Sequence, residues 1–178
     1  MVSATQIAHL RTASDDYHLT QQIKSELRTV RESRQPFYLT AGELERVFEW
    51  KLRSQYGRQA TQRARNGGDV YMTVTRAAFE IAKPDRNYEA TVRIGILTAL
   101  PGVGVPVASA ILALTDPDRY CVIDFRGWRA VFDEDRRVFS VRNYRDYLAE
   151  VDRLAGQLKW PVQETDLALW EYDRRNYP

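Results

Sequence analysis

Leu97-Thr98-Ala99-Leu100-Pro101-Gly102-Val103-Gly104-Val105-Pro106-Val107-Ala108-Ser109-Ala110-Ile111-Leu112 joins two apolar segments through a glycine-rich turn. Two glycines flank one aliphatic residue in a tight link between two helical faces. Glycine reaches backbone angles that a side chain forbids, and it lets an anion approach the main chain closely. The amides of Gly102–Val105 fall at the free N-terminus of the second helix, where donors lack partners and the dipole favours negative charge. Val103 can point back between the helices and pin the turn. Pro106 sits in the first turn of the second helix, where its missing N–H costs little. Small Ala108 allows a close helix crossing. The plainest reading of such a link is a helix–glycine–helix connection with no ligand.

Working outward, the apolar spacing is helical nearly everywhere. Tyr88, Val92, Ile96 and Leu100 form the face that leads into the turn. Upstream, Thr20 is a candidate cap for a helix bearing Ile23, Leu27 and Val30, which Gln35-Pro36 ends. Thr40 caps a helix with Leu44, Val47, Phe48 and Leu52 on one side, and Glu43 holds the capping-box position. Asn66-Gly67-Gly68 signals a turn, Asp69 can cap the next helix, and Lys83-Pro84 ends it. Downstream, Asp116-Pro117-Asp118 stops the helix that follows the glycine link. Arg142–Leu158 is periodic through Tyr144, Tyr147, Leu148, Val151, Leu154 and Leu158. Trp160-Pro161 breaks it, and Thr165 is a candidate cap for a last helix. Strand-like alternation is confined to Arg119–Ile123 and Arg137–Val141. The expectation is an all-α, multi-helix fold in a single helical domain, 1–178, with at most one β-hairpin.

The 178 residues suffice for a hydrophobic core without staples. One cysteine, Cys121, excludes an internal disulfide and a four-cysteine cluster, and reads as a buried small hydrophobe. The 2 histidines, His9 and His18, lie at no zinc spacing, so no side-chain metal site is expected. No apolar run reaches membrane-span length, and Met1–Asp16 has no apolar signal core. The expected setting is soluble, intracellular and cytoplasmic, with no membrane partner. The net charge of +2 is uneven. Residues 1–50 carry 6 basic and 7 acidic groups, residues 51–145 carry 16 and 10, and residues 146–178 carry 4 and 7. The basic middle suits a polyanion, although charged helical faces are usually just solvated.

Leu-Pro-Gly-Val-Gly followed by Ala108, Ile111 and Leu112 resembles the helix-hairpin-helix motif of glycosylases, ligases, polymerases and junction-binding proteins. The resemblance implies a grip on one DNA backbone by Gly102, Val103, Gly104 and Val105, without sequence reading. It also implies a possible monovalent cation, Na+ or K+, at the hairpin carbonyls, and no other cofactor. Twenty residues after Gly104 stands Asp124, within Cys121-Val122-Ile123-Asp124-Phe125-Arg126-Gly127-Trp128-Arg129. This unit, 88–132, resembles the helix-hairpin-helix superfamily of base-excision DNA glycosylases, and the match covers about a quarter of the chain. Glu164-Thr165-Asp166-Leu167-Ala168-Leu169-Trp170 looks like the closing helix of some members.

The resemblance implies DNA repair by hydrolysis of an N-glycosidic bond, with Asp124 as catalytic carboxylate. A carboxylate beside an oxocarbenium-like sugar stabilises its charge, and such preorganised groups contribute on the order of 10²–10³ in rate. The base must first leave the stack. Asp124 can equally be the N-cap of a helix starting at Phe125, and the two roles are compatible. Two departures narrow the chemistry. Pro106 stands where bifunctional members carry a Schiff-base lysine, and the iron–sulfur cysteines are absent. The expected enzyme is therefore a monofunctional glycosylase without lysine-dependent lyase activity.

Lys51, Arg53, Arg58, Arg63 and Arg65 form a basic stretch with no acidic residue, interleaved with Trp50 and Tyr56. It reads as a phosphate-contacting rim with Tyr56 available to stack, or as a solvated helix end with Trp50 in the core. Arg126 and Arg129 can meet phosphate or pair with Asp133 and Glu134. Trp128 reads as core. Two other functions stay open: a non-catalytic DNA-binding protein that kept the fold, and a helical interaction module without nucleic acid.

Overall fold

Periodicity becomes helices along the whole computed structural model, which describes residues 2–177. No strand forms among them. In chain order the helices are α1 (Ala4–Ile7), α2 (Tyr17–Ser33), α3 (Ala41–Leu52), α4 (Ala60–Arg63), α5 (Gly68–Glu80), α6 (Arg86–Leu97), α7 (Val105–Thr115), α8 (Phe125–Phe132), α9 (Val141–Leu158) and α10 (Val162–Asn176). Short 3₁₀ segments cover Ala8–Leu10 and Arg53–Gln59.

The centre is α7, because its sequence is apolar on every side. Every residue from Val107 to Thr115 is buried. Such a helix is stable only inside a protein, and α2, α3, α6 and α9 pack around it. Amphipathic α9 lays Tyr144, Tyr147, Leu148, Val151 and Leu154 inward. No helix among the described residues is long and apolar enough to cross a membrane.

Several caps form as their sequences suggest. Thr40 and Glu43 make a reciprocal capping box on α3. Others do not. Helix α2 starts at Tyr17, and Thr20 lies inside it with its hydroxyl on the Asp16 carbonyl at 2.8 Å. Helix α5 starts at Gly68, which places Asp69 within its first turn. Thr165 lies inside α10, which starts just after Pro161. Thr165, like Thr20, turns its hydroxyl back to a carbonyl four residues before it, Pro161 at 3.1 Å.

The link between α6 and α7 is tight. Val103 N–H donates to the Leu100 carbonyl at 3.0 Å, and Val103 is 4% exposed. Gly102 takes φ +82°, which favours glycine. A Cβ on Gly102 would lie 2.7 Å from Cγ of Arg63. Arg63 is therefore the floor of the turn rather than a phosphate contact. It is 3% exposed, its guanidinium stacks 4.5 Å from the Tyr56 ring centroid, and it donates to the Tyr56 carbonyl at 2.8 Å.

Neither candidate strand pairs. Val138 is 83% exposed, and Ser140 caps α9 instead of ending a strand. Tyr120–Ile123 is buried outside any helix, and side chains satisfy its backbone. Ile123 N–H donates to Ser109 Oγ at 3.1 Å, Val122 N–H to Asp166 Oδ2 at 2.9 Å, and Tyr144 donates to the Cys121 carbonyl at 3.2 Å.

Helix α10 is anchored by buried carboxylates. Glu164 accepts from Arg11 at 2.7 Å and Gln21 at 3.2 Å. Asp173 is fully buried and receives Arg129 at 2.7 Å and Arg126 at 3.2 Å. Arg126 and Arg129 thus pair with α10, and not with Asp133 or Glu134. Removing one partner of a buried ion pair strands the other. Asp173→Ala is expected to cost about 3 kcal/mol in chemical denaturation, while Glu150→Ala on the exposed face of α9 costs less than about 1 kcal/mol.

Candidate functional site

The turn, the end of α3 and the start of α8 enclose a cleft of about 1030 Å³. The hairpin side supplies Leu100–Gly104 and Pro106, the basic side Lys51, Arg53 and Arg58, and the opposite wall Asp124, Phe125, Asp166 and Trp170. Trp50, Phe125, Phe139 and Trp170 give it apolar flat surfaces.

Asp124 reaches the cleft because it caps α8. Its Oδ1 accepts from the amides of Arg126 at 3.0 Å and Gly127 at 2.9 Å. Its Oδ2 lies 3.5 Å from Nζ of Lys51, and the side chain is 23% exposed. Capping and facing an open cleft therefore coexist: the cap fixes one oxygen and aims the other. Ser109 ties this segment to the turn, since its hydroxyl donates to the Pro106 carbonyl at 2.8 Å and accepts from Ile123 N–H.

Lys51 comes from the last turn of α3, and its side chain is 12% exposed. Its place is beside Asp124, deep in the wall, rather than on an outer rim. Helix α3 ends immediately afterwards at Arg53, whose φ of +47° is unusual for a residue with a side chain. Arg53 and Arg58 line the cleft, and both are exposed. Arg65 is exposed outside the lining. Tyr56 is also outside it: its ring is covered by Arg63 and its hydroxyl donates to Glu45. Trp50 belongs to both worlds, lining the cleft while its indole N–H donates to Thr20 at 3.0 Å. Trp128 is core, 5% exposed against Phe132 and Tyr147.

At the turn, the Val103 amide is spent on Leu100, while Gly104 and Val105 begin α7 with no backbone acceptor among the described residues. Val103 is thus the pin of the turn rather than an anion donor. The Pro101 carbonyl accepts from Asn66 at 2.9 Å, and the Leu100 carbonyl accepts from Val103. Among the described residues no cluster of metal-ligating side chains occurs.

Asp166 and Arg137 line the cleft although neither has a functional role in the sequence reading: Asp166 falls within the segment likened to a closing helix, and Arg137 at the start of a candidate strand. A carboxylate set among Val162, Leu167, Ala168 and Leu169 was the available signal for Asp166. Burial pushes its carboxyl up to about 7, and the charge of Asp124 pushes the same way. The Tyr147 hydroxyl, the Val122 amide and Lys51 oppose that rise.

The raised Asp166 has a sign-definite effect on stability. The folded state keeps its proton where the unfolded chain has lost it, so this contribution is complete below about pH 4 and disappears as pH rises through about 7. Stability of the wild type relative to Asp166→Asn is expected to fall across that window, as read from denaturation midpoints at several pH values. A difference that stays flat would place the carboxyl in the ordinary range. No family model matches the chain, and neither the curated proteins nor the solved structures contain a match.

Proposed function

We propose that the chain is a DNA-binding protein with a helix-hairpin-helix grip and a glycosylase-like fold, and that it hydrolyses the N-glycosidic bond of a damaged or modified base. The observation that carries this reading is the position of Asp124. It faces the same cleft as the Gly102–Gly104 turn, beside Lys51 and below Arg53 and Arg58.

The chemistry follows from the geometry. Phosphates meet the Gly104 and Val105 amides and the exposed Arg53, Arg58 and Arg65. A flipped base enters between aromatic walls, which stack on any base. Asp124, held by two amides, stabilises the sugar cation through Oδ2 and orients the attacking water. Pro106 leaves α7 without an amine. Lys51 arrives from α3, paired with Asp124, so we keep the reaction as hydrolysis without a lyase step. A Na+ or K+ at the turn would use the Gly102 and Val103 carbonyls, since Leu100 and Pro101 already accept hydrogen bonds. No step depends on it.

One observation favours a second reading. Both oxygens of Asp124 already have partners, as a purely structural cap beside a lysine would. A non-catalytic DNA-binding protein of the same fold satisfies that geometry.

Single-turnover incubation with duplexes holding uracil, 8-oxoguanine, alkylated bases or mismatched adenine separates the two. Base release that falls about 10²–10³-fold in Asp124→Asn, with duplex binding retained, supports hydrolysis. Intact duplexes throughout, with binding retained, leave the second reading. Arg58→Ala is expected to lower the salt dependence of binding by about one phosphate contact, whereas Arg129→Ala leaves that slope unchanged.

A further inference from the structure

Asp166 is the most enclosed charged group of the cleft. It is 5% exposed and reaches the cavity from α10. Val122 N–H donates to its Oδ2 at 2.9 Å and the Tyr147 hydroxyl to its Oδ1 at 2.5 Å. Gly127 joins it to Asp124. The Gly127 amide donates to Asp124 Oδ1 at 2.9 Å. Its absent side chain leaves the room that the Tyr147 hydroxyl occupies, and a Cβ there would stand 3.4 Å from Asp166 Oδ1. Two carboxylates therefore approach one glycine, one through its amide and one across its bare Cα. Asp166 also holds the backbone two residues before Asp124, at Val122.

We propose that Asp166 is a second functional carboxylate of this cleft, a positioning residue that acts on Asp124 through the Val122–Gly127 backbone and through its own charge. Its catalytic consequence rests on the base-excision reading; its coupling to Asp124 and to bound DNA does not.

The groups facing Asp166 are Asp124 and Cys121 from the segment before α8, Tyr144 and Tyr147 from α9, and Lys51 from α3. Burial pushes Cys121, Tyr144 and Tyr147 well above their ordinary ranges, so they stay neutral. Asp166, pushed up to about 7, is the group whose charge changes near neutrality. Below neutrality Asp166 is protonated and adds no charge to the cleft floor. In mild base the cleft floor gains one negative charge. That charge favours a cationic sugar and opposes the approach of phosphate.

The test is a carboxyl-carbon NMR titration of the full chain, alone and with a duplex carrying a tetrahydrofuran abasic-site analogue. Asp166→Asn assigns the signal. Proton affinity at Asp166 is expected to fall at least about threefold in Asp124→Asn, which removes a like charge, and to rise at least about threefold in Tyr147→Phe, which removes a donor to the ionised form. The duplex raises it as well. A midpoint that ignores both Asp124→Asn and the duplex overturns the proposal. In single-turnover base release the wild type gains at least about tenfold from about pH 6 to about pH 8, following the ionised fraction in the duplex-bound state, and Asp166→Asn gains less than about twofold. Matching profiles overturn the catalytic part. Should Asp166→Asn not fold, Tyr147→Phe serves instead, by moving the midpoint of the rate profile upward. If no duplex loses a base at any pH, base excision itself fails. The duplex-dependent titration then decides alone whether Asp166 belongs to the site.

Discussion

A buried segment outside any helix has no ready backbone partner in a bundle of helices. Tyr120–Ile123 runs through the interior with no second strand beside it, and an unpaired backbone amide there would cost as much as a lost hydrogen bond. Three side chains meet that need: Ser109 from α7, Tyr144 from α9 and Asp166 from α10. Their demand brings three helices to one segment, and the segment ends at Asp124. The location of the cleft, the aim of Asp124 and the burial of Asp166 all descend from this one requirement. The requirement also explains why a group as costly as the Asp166 carboxylate is tolerated inside the fold: it is the acceptor for the Val122 amide.

The cleft separates its charges by depth. Cationic side chains stand at the mouth, where water keeps their desolvation small, and the free amides at the start of α7 stand beside them. Asp124 and Asp166 lie deeper, where a charge acts strongly on whatever occupies the cavity, while Asp16 pairs with Arg53 at the mouth. The proposed base excision uses that layering, with phosphates at the mouth and the flipped sugar at the floor. Lys51 lies between the layers and tempers the floor without cancelling it when both carboxylates are ionised.

What the sequence shows and hides follows from the distance over which each feature is written. The Thr40 box, the Asp124 cap and the glycine turn are local patterns, and each forms as read. The helices start at Tyr17 and Val162, and Thr20 and Thr165 mislead because their hydroxyls bond back to the Asp16 and Pro161 carbonyls from inside the helix. Arg63 looks like its basic neighbours, but only the arrival of Gly102, far along the chain, reveals it as a floor. Lys51 meets Asp124 across 73 residues, and Asp166 meets Val122 across 44. No spacing rule spans such gaps. Arg126 and Arg129 fail similarly, since their partner Asp173 lies 47 and 44 residues away.

The two sides of the cleft also differ in stiffness. Helix α8 is held to α10 through Asp173 and bears on α9 where Tyr147 fills the gap at Gly127, so that wall moves as one body. The facing 3₁₀ segment, Arg53–Gln59, contains no buried residue and is tied down at Tyr56, by Arg63 and Glu45, and at Arg53, by Asp16. Cooperative elements with little buried surface open at low free energy. Accommodation of differently shaped ligands therefore falls to the arginine side, while the carboxylate side keeps its geometry. A protein so built tolerates variety in what it grips and little in what it does at the floor.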